Sequence, residues 1–199
     1  MAAKAFQWVG ASAEWLAEIR RWREKSQTFA KIFDELTTKP RADGRRVEEI
    51  HFHRLEGPTE TNCWWEFDKD ETKQIGHIGV VVNLPDWPLP RQKSTILVEV
   101  CNAYQDCVQG LKPDIKKYNA GQGEEYATHM ELMEHGSIKL HHKICEELNE
   151  TGLYDQWGTV LDPEKKESWV KFEDYLRAMK ETKHTQRMID DFNKQKPKK

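Results

Sequence analysis

HFHRLEGPTETNCWWEF, residues 51–67, alternates in character on both sides of its central EGPTET. A period of two sends successive side chains to opposite faces of a strand. Ile50 and Phe52 therefore share one face, and His51 and His53 share the other. Cys63, Trp65 and Phe67 point one way, Trp64 and Glu66 the opposite way. A third segment, 74–84, sets Ile78, Val80, Val82 and Leu84 against Ile75 and His77. EGPTET and DKDETK read as turns, so 46–55, 62–68 and 74–84 are predicted to form a three-stranded antiparallel meander, closed by Pro85, Pro88 and Pro90. The apolar sets must face the core, because register follows the buried face. The simplest turns pair Leu55 with Asn62 and Asp68 with Lys73. His53 then lies opposite Trp64, His51 opposite Glu66, and Trp64 opposite His77.

The rest of the chain reads as helix. Trp15, Ile19, Trp22, Ser26, Phe29, Phe33 and Leu36 step by alternating fours and threes, one apolar seam on a long helix. Ser12 caps its start, Glu14 suits its first turn, and Pro40 closes it after roughly 25 residues, about 38 Å. The seam is expected to cover a core sheet; a homodimer or a partner protein is the alternative. TILVEVCNAYQDCVQGL (95–111) carries Leu97, Cys101, Tyr104, Val108 and Leu111 at helical spacing and is apolar on several sides, so it is expected to be a central buried helix, although its β-branched start also fits a strand. EEYATHMELMEH (124–135) reads as a short helix stopped by Gly136, and Ser137 as the start of another, running to Asn149 with Gly152 beyond it. Asp162 and Pro163 have the pattern of an N-cap and first turn. The last helix carries Trp169, Phe172, Leu176 and Met179, weakens through Lys183, and resumes with Ile189 and Phe192.

Composition narrows the function classes. The 199 residues are 37% hydrophobic, 33% charged and 10% aromatic, with eight Trp, which argues for one folded domain over 1–192 and a disordered basic tail over 193–199. A net charge of −3 argues against a general phosphate-backbone binder. No apolar run approaches a membrane span, and the opening MAAKAFQWVGASAEW lacks signal-peptide character. Cys63, Cys101, Cys107 and Cys145 form no metal or redox spacing, so a reducing, cytoplasmic setting is expected. Phosphate-loop, dinucleotide, serine-hydrolase and zinc-protease motifs are all missing.

Two clusters remain. His51, His53, Trp64, Glu66 and His77 share the face turned away from the core and form a candidate binding surface. Two histidines at i and i+2 with a carboxylate opposite also have the composition of a two-His-one-carboxylate centre, so His51, His53 and Glu66 are the candidate ligands for a divalent metal. His77 is too far across the expected sheet to join them. The second cluster is His129, Glu131, Glu134, His135, His141 and His142. Glu131 and His135 are i, i+4 neighbours able to pair or share a metal, but a solvated, ion-paired helix face is expected here.

LPDWPLPRQKSTILVEVCNAYQDC (84–107), EEYATH (124–129) and the preceding DKDETKQIGHIG hairpin resemble a stretch of phage-encoded anti-CRISPR proteins that inhibit the RNA-guided RNA nuclease of type VI systems. The resemblance runs over roughly residues 67–129. It implies a non-enzymatic inhibitor acting on a large nucleoprotein effector and identifies no contact residue.

The expectation is an α+β domain, a small antiparallel β-meander packed by four to five helices. It would act as a cytoplasmic protein-binding inhibitor or regulatory module that needs no cofactor. A metal-dependent enzyme is the alternative. Direct nucleic-acid binding, by stacking bases on Trp64 and Trp87, is not favoured.

Overall fold

The structure, a computed structural model, describes residues 6–55, 63–70, 72–81, 89–149 and 170–196. Among them are six α-helices and four strands: β1 (Gln7–Val9), α1 (Ala13–Lys25), α2 (Gln27–Thr38), β2 (Glu49–Leu55), β3 (Cys63–Phe67), β4 (Ile75–Val81), α3 (Leu89–Cys107), α4 (Gly123–Leu148), α5 (Phe172–Glu181) and α6 (His184–Gln195). The protein is α+β, and no described helix is long and apolar enough to cross a membrane.

The sheet is mixed, with strand order β1-β2-β4-β3. β1 runs parallel to β2, β2 parallel to β4, and only β3 is antiparallel to its neighbour β4. This corrects the expected antiparallel meander: β4 lies between the two strands assumed to pair. β4 is the most apolar of the three, and it and β2 are the interior strands of the sheet. The turn at 68–73 does join β3 to β4, closed by Asp68 N–H donating to Ile75 O at 2.8 Å. EGPTET, Val82, Leu84, Pro85 and Pro88 lie outside the described residues, and Pro90 falls in the first turn of α3.

The helical seam is where its periodicity put it, but the helix is two. α1 starts as expected, with Trp15 N–H donating to Ser12 Oγ at 3.3 Å. It stops at Ser26, which is extended (φ −117°, ψ 116°) and accepts from Phe29 N–H to cap α2. Ser26 Oγ in turn donates to Glu147 of α4 at 2.5 Å, and Thr28 binds the same carboxylate through its amide and hydroxyl. Trp22, Phe29 and Leu36 are fully buried. The seam is thus spent on the chain's own core.

α3 is the centre of that core. Every residue from Ser94 to Cys107 is buried, between the sheet on one side and α2 and α4 on the other. Trp65 of β3 donates its indole N–H to Asp106 at 3.1 Å, and Tyr104 donates to Glu35 of α2 at 2.9 Å. α4 corrects a second expectation, since it passes through Gly136 without a break. A Cβ there would lie 2.8 Å from the Gln105 amide, so this glycine admits α3 rather than ending a helix. The stop is Asn149, in the left-handed region at φ 54°. The final helix is broken at Lys183 (φ 61°) into α5 and α6, where its apolar stripe weakens. α6 runs on to Gln195, into the segment expected to be tail. Gly152, Asp162, Pro163 and Trp169 fall outside the described residues.

Two measurements test this packing. A Cβ on Gly76 of β4 would sit 2.2 and 2.5 Å from the Trp65 ring. Gly76→Ala is expected to lower the urea unfolding free energy by about 1–3 kcal/mol through overpacking; an unchanged midpoint would show that Trp65 does not cross β4. His141 is fully buried beside Ser94 (2.9 Å) and Cys145 (3.5 Å). Burial, with the neighbouring His142, lowers its pKa from 6.5 to about 3. The unfolded chain therefore takes up this proton first. The stabilisation is complete above the unfolded pKa and is lost as pH falls toward the folded one, by up to ~1.4 kcal/mol per pH unit. His141→Gln should flatten that acid limb relative to wild type.

Candidate functional site

The sheet brings His51, His53, Trp64, Glu66 and His77 to the face opposite Ile50, Phe52, Trp65, Ile78 and Val80. Their register differs from the simplest turns. His51 pairs with His77, His53 with Gly79, Trp64 with Gly79, and Glu66 with His77. The β3–β4 register is two residues from the expected one, and a slip of two preserves the face. The side chains form one connected row. Ring centroids are 5.4 Å apart for His51–His77, 5.2 Å for His77–His53 and 5.6 Å for the stacked His53–Trp64 pair. His53 Nε2 lies 3.0 Å from His77 Nδ1. Gly79 makes the stack possible: a Cβ there would meet the Trp64 indole at 2.3 Å.

Carboxylates rim the row. Glu49 lies 3.0 Å from His51 Nε2, Asp68 lies 3.3 Å from His77 Nε2, and Glu66 pairs with Lys69 at 2.9 Å. Burial lowers the pKa of His53, and the charges of His77 and His51 lower it further. Backbone and side-chain hydrogen bonds, from Asp70 first and then His77, hold the Asp68 carboxyl below its ordinary range.

This corrects the cross-strand pair expected for a metal. Glu66 is not opposite His51; β4 separates their strands, a spacing of roughly 9–10 Å at the backbone. His77, too distant in the expected meander to join them, is instead the hub that touches both other histidines.

The helical half holds a second constellation. Glu131 of α4 is fully buried. Its carboxylate accepts from Tyr175 (3.1 Å) and Thr185 (2.7 Å) and lies 3.1 Å from His184 Nδ1. His184 Nε2 lies 3.8 Å from Glu134. Among the described residues, Glu131, Glu134 and His184 are the group of three whose ligand atoms all fall within 4.8 Å of one another. Burial raises the Glu134 pKa to about 7; Glu131 and Glu99 push the same way, while His184 and Arg187 oppose them. Burial alone would lower the His184 pKa, but the Glu131 hydrogen bond and the charges of Glu134 and Glu131 raise it. The solvated face expected here is largely interior: Glu131, His135, His141 and His142 are all buried, and His129 is the exposed member. Sequence spacing could pair Glu131 with Glu134 one turn on. His184 lies in another helix and carried no signal.

Chemistry elsewhere is limited. Burial, with the Asp106 charge beside it, raises the Cys107 thiol to about 12, and burial also raises Cys101. Both thiols stay protonated and are poor nucleophiles. A cleft of about 540 Å³ opens at the sheet edge, lined by Trp15, Glu18, Phe52, Arg54 and Lys93 among others.

No family model, curated protein or solved structure matches this chain.

The electrostatics of the histidine row can be read by NMR titration. His53 should titrate below the ordinary histidine value, and His77→Ala should move its midpoint upward by removing a neighbouring positive charge. A His53 midpoint unaffected by that substitution would contradict the 3.0 Å contact.

Proposed function

We propose that this protein is a protein-binding module of the inhibitory or regulatory kind, docking its partner on the face made by His51, His53, Trp64, Glu66 and His77. The observation that carries this reading is the continuous, half-buried ring row from His51 to Trp64. Aromatic side chains supply large contact area at little entropic cost, and interfaces concentrate them within a polar rim. Here the rim carries both signs: Glu66 pairs with Lys69 and Asp68 with Lys73, beside Glu49. It suits a partner with a charged surface.

A nucleic-acid-binding channel is such a surface. The resemblance over roughly 67–129 points the same way, toward an RNA-guided RNA nuclease of the type VI class. The chain would act by occupying protein surface, without chemistry of its own. A metal enzyme built on His51, His53 and Glu66 has less support, because β4 lies between the histidine strand and Glu66, and Glu66 holds Lys69.

The test is direct. Purified chain titrated into a type VI nuclease cleaving its target RNA should suppress cleavage. His53→Ala/Trp64→Ala should weaken inhibition at least tenfold, about 1.4 kcal/mol. Leu132→Ala, exposed on α4, should leave it unchanged. Full cleavage at saturating wild-type chain, with no complex on gel filtration, would remove this partner. Inhibition insensitive to the double variant would remove this face.

A further inference from the structure

We infer that Glu131, Glu134 and His184 form a binding site for one divalent transition-metal ion, independent of the sheet face. Three arguments converge on it. The first is geometric. Each residue offers a ligand atom, and the three atoms fall within 4.8 Å of one another, close enough to converge on a single ion. They come from two helices, α4 and α6, joined where Thr185 of α6 donates to Glu131 of α4, so the set is assembled by packing rather than by one flexible loop.

The second argument is orientation. The His184 ring lies between the two carboxylates, with Nδ1 3.1 Å from Glu131 and Nε2 3.8 Å from Glu134 Oε2, so the three side chains are already gathered. Glu131 is itself held by Tyr175 and Thr185. An ionised carboxylate has about four lone-pair sites, so three hydrogen bonds leave one for a metal. Glu134 and His184 are partly open to solvent, with side chains 24% and 30% exposed, which gives an ion a way in and leaves coordination positions for water.

The third argument is charge. Glu131 and Glu134 face each other across His184, and the charge of Glu99 on α3 also acts on Glu134. The positive groups opposing them are His184 and Arg187. A divalent cation at the site offsets that excess. One imidazole with two carboxylates is a mixed donor set. It favours zinc, manganese or ferrous iron over magnesium, which prefers an all-oxygen octahedron with several waters.

The experiment uses the full, untagged chain, stripped with chelator and titrated calorimetrically at about pH 8, above the ordinary histidine pKa. ZnCl2 and MnCl2 are the probes, with MgCl2 for comparison. One zinc or manganese ion per chain is expected. Glu134→Gln and His184→Gln should each weaken binding at least tenfold with unchanged far-ultraviolet circular dichroism. His53→Ala should bind as wild type does. Should both site variants lose their fold, Mn2+ added to wild type decides: selective NMR broadening of His184 and Tyr175 supports the site. Three results would overturn it: no binding up to about 1 mM metal, affinity unchanged in both folded variants, or loss only in His53→Ala, which would place the ion on the sheet.

Discussion

Helix α3 leaves almost no side for water, and the other elements are arranged by that fact. A buried helix satisfies its own backbone, but each polar side chain it carries needs a partner or costs free energy. α3 carries several. Ser94 reaches His141 of α4, Tyr104 reaches Glu35 of α2, and Asp106 holds both the Trp65 indole and Arg41. These contacts set the sheet on one side of α3 and two helices on the other. The same crowding accounts for Gly136, where α4 comes so close that the Gln105 side chain occupies the space of a Cβ.

That arrangement leaves two polar regions of different make-up. The sheet face concentrates imidazoles, each next to another ring or a carboxylate, and shows them to solvent at intermediate exposure. The α4–α5–α6 junction concentrates carboxylates around one imidazole and keeps the central one, Glu131, fully buried. The first is a surface, suited to contact. The second is a pocket of negative charge, suited to a cation. They stand on different elements, so one can be removed by substitution while the other is kept.

Much of this was legible residue by residue. The apolar seam from Trp15 to Leu36 and the alternation of His51 and His53 against Ile50 and Phe52 follow from periodicity alone. So does the burial of 95–107. Breaks and continuities were less so. Ser26 ends α1 because its hydroxyl has both the Phe29 amide and Glu147 to bind, and Glu147 is supplied by a helix far along the chain. Gly136 reads as a stop in isolation because its tolerance comes from the neighbouring helix. In the second cluster, Glu131 and Glu134 were visible, but His135, His141 and His142 were expected in water and are buried.

Local order, faces and composition are properties of short stretches, and the sequence by itself determined them. It assigned the longer helices and the strands other than β1, the core side of β2, β3 and β4, and the histidine–tryptophan face, which survives a two-residue change of register because the strand period is two. Strand order and cross-strand partners were decided only by the tertiary structure. Inserting β4 between β2 and β3 depends on how all the strands pack against α3 together, which no single strand records. The joining of Glu131 and Glu134 to His184 was decided the same way, because helix packing and not spacing brings residues of α4 and α6 to within one ion's reach.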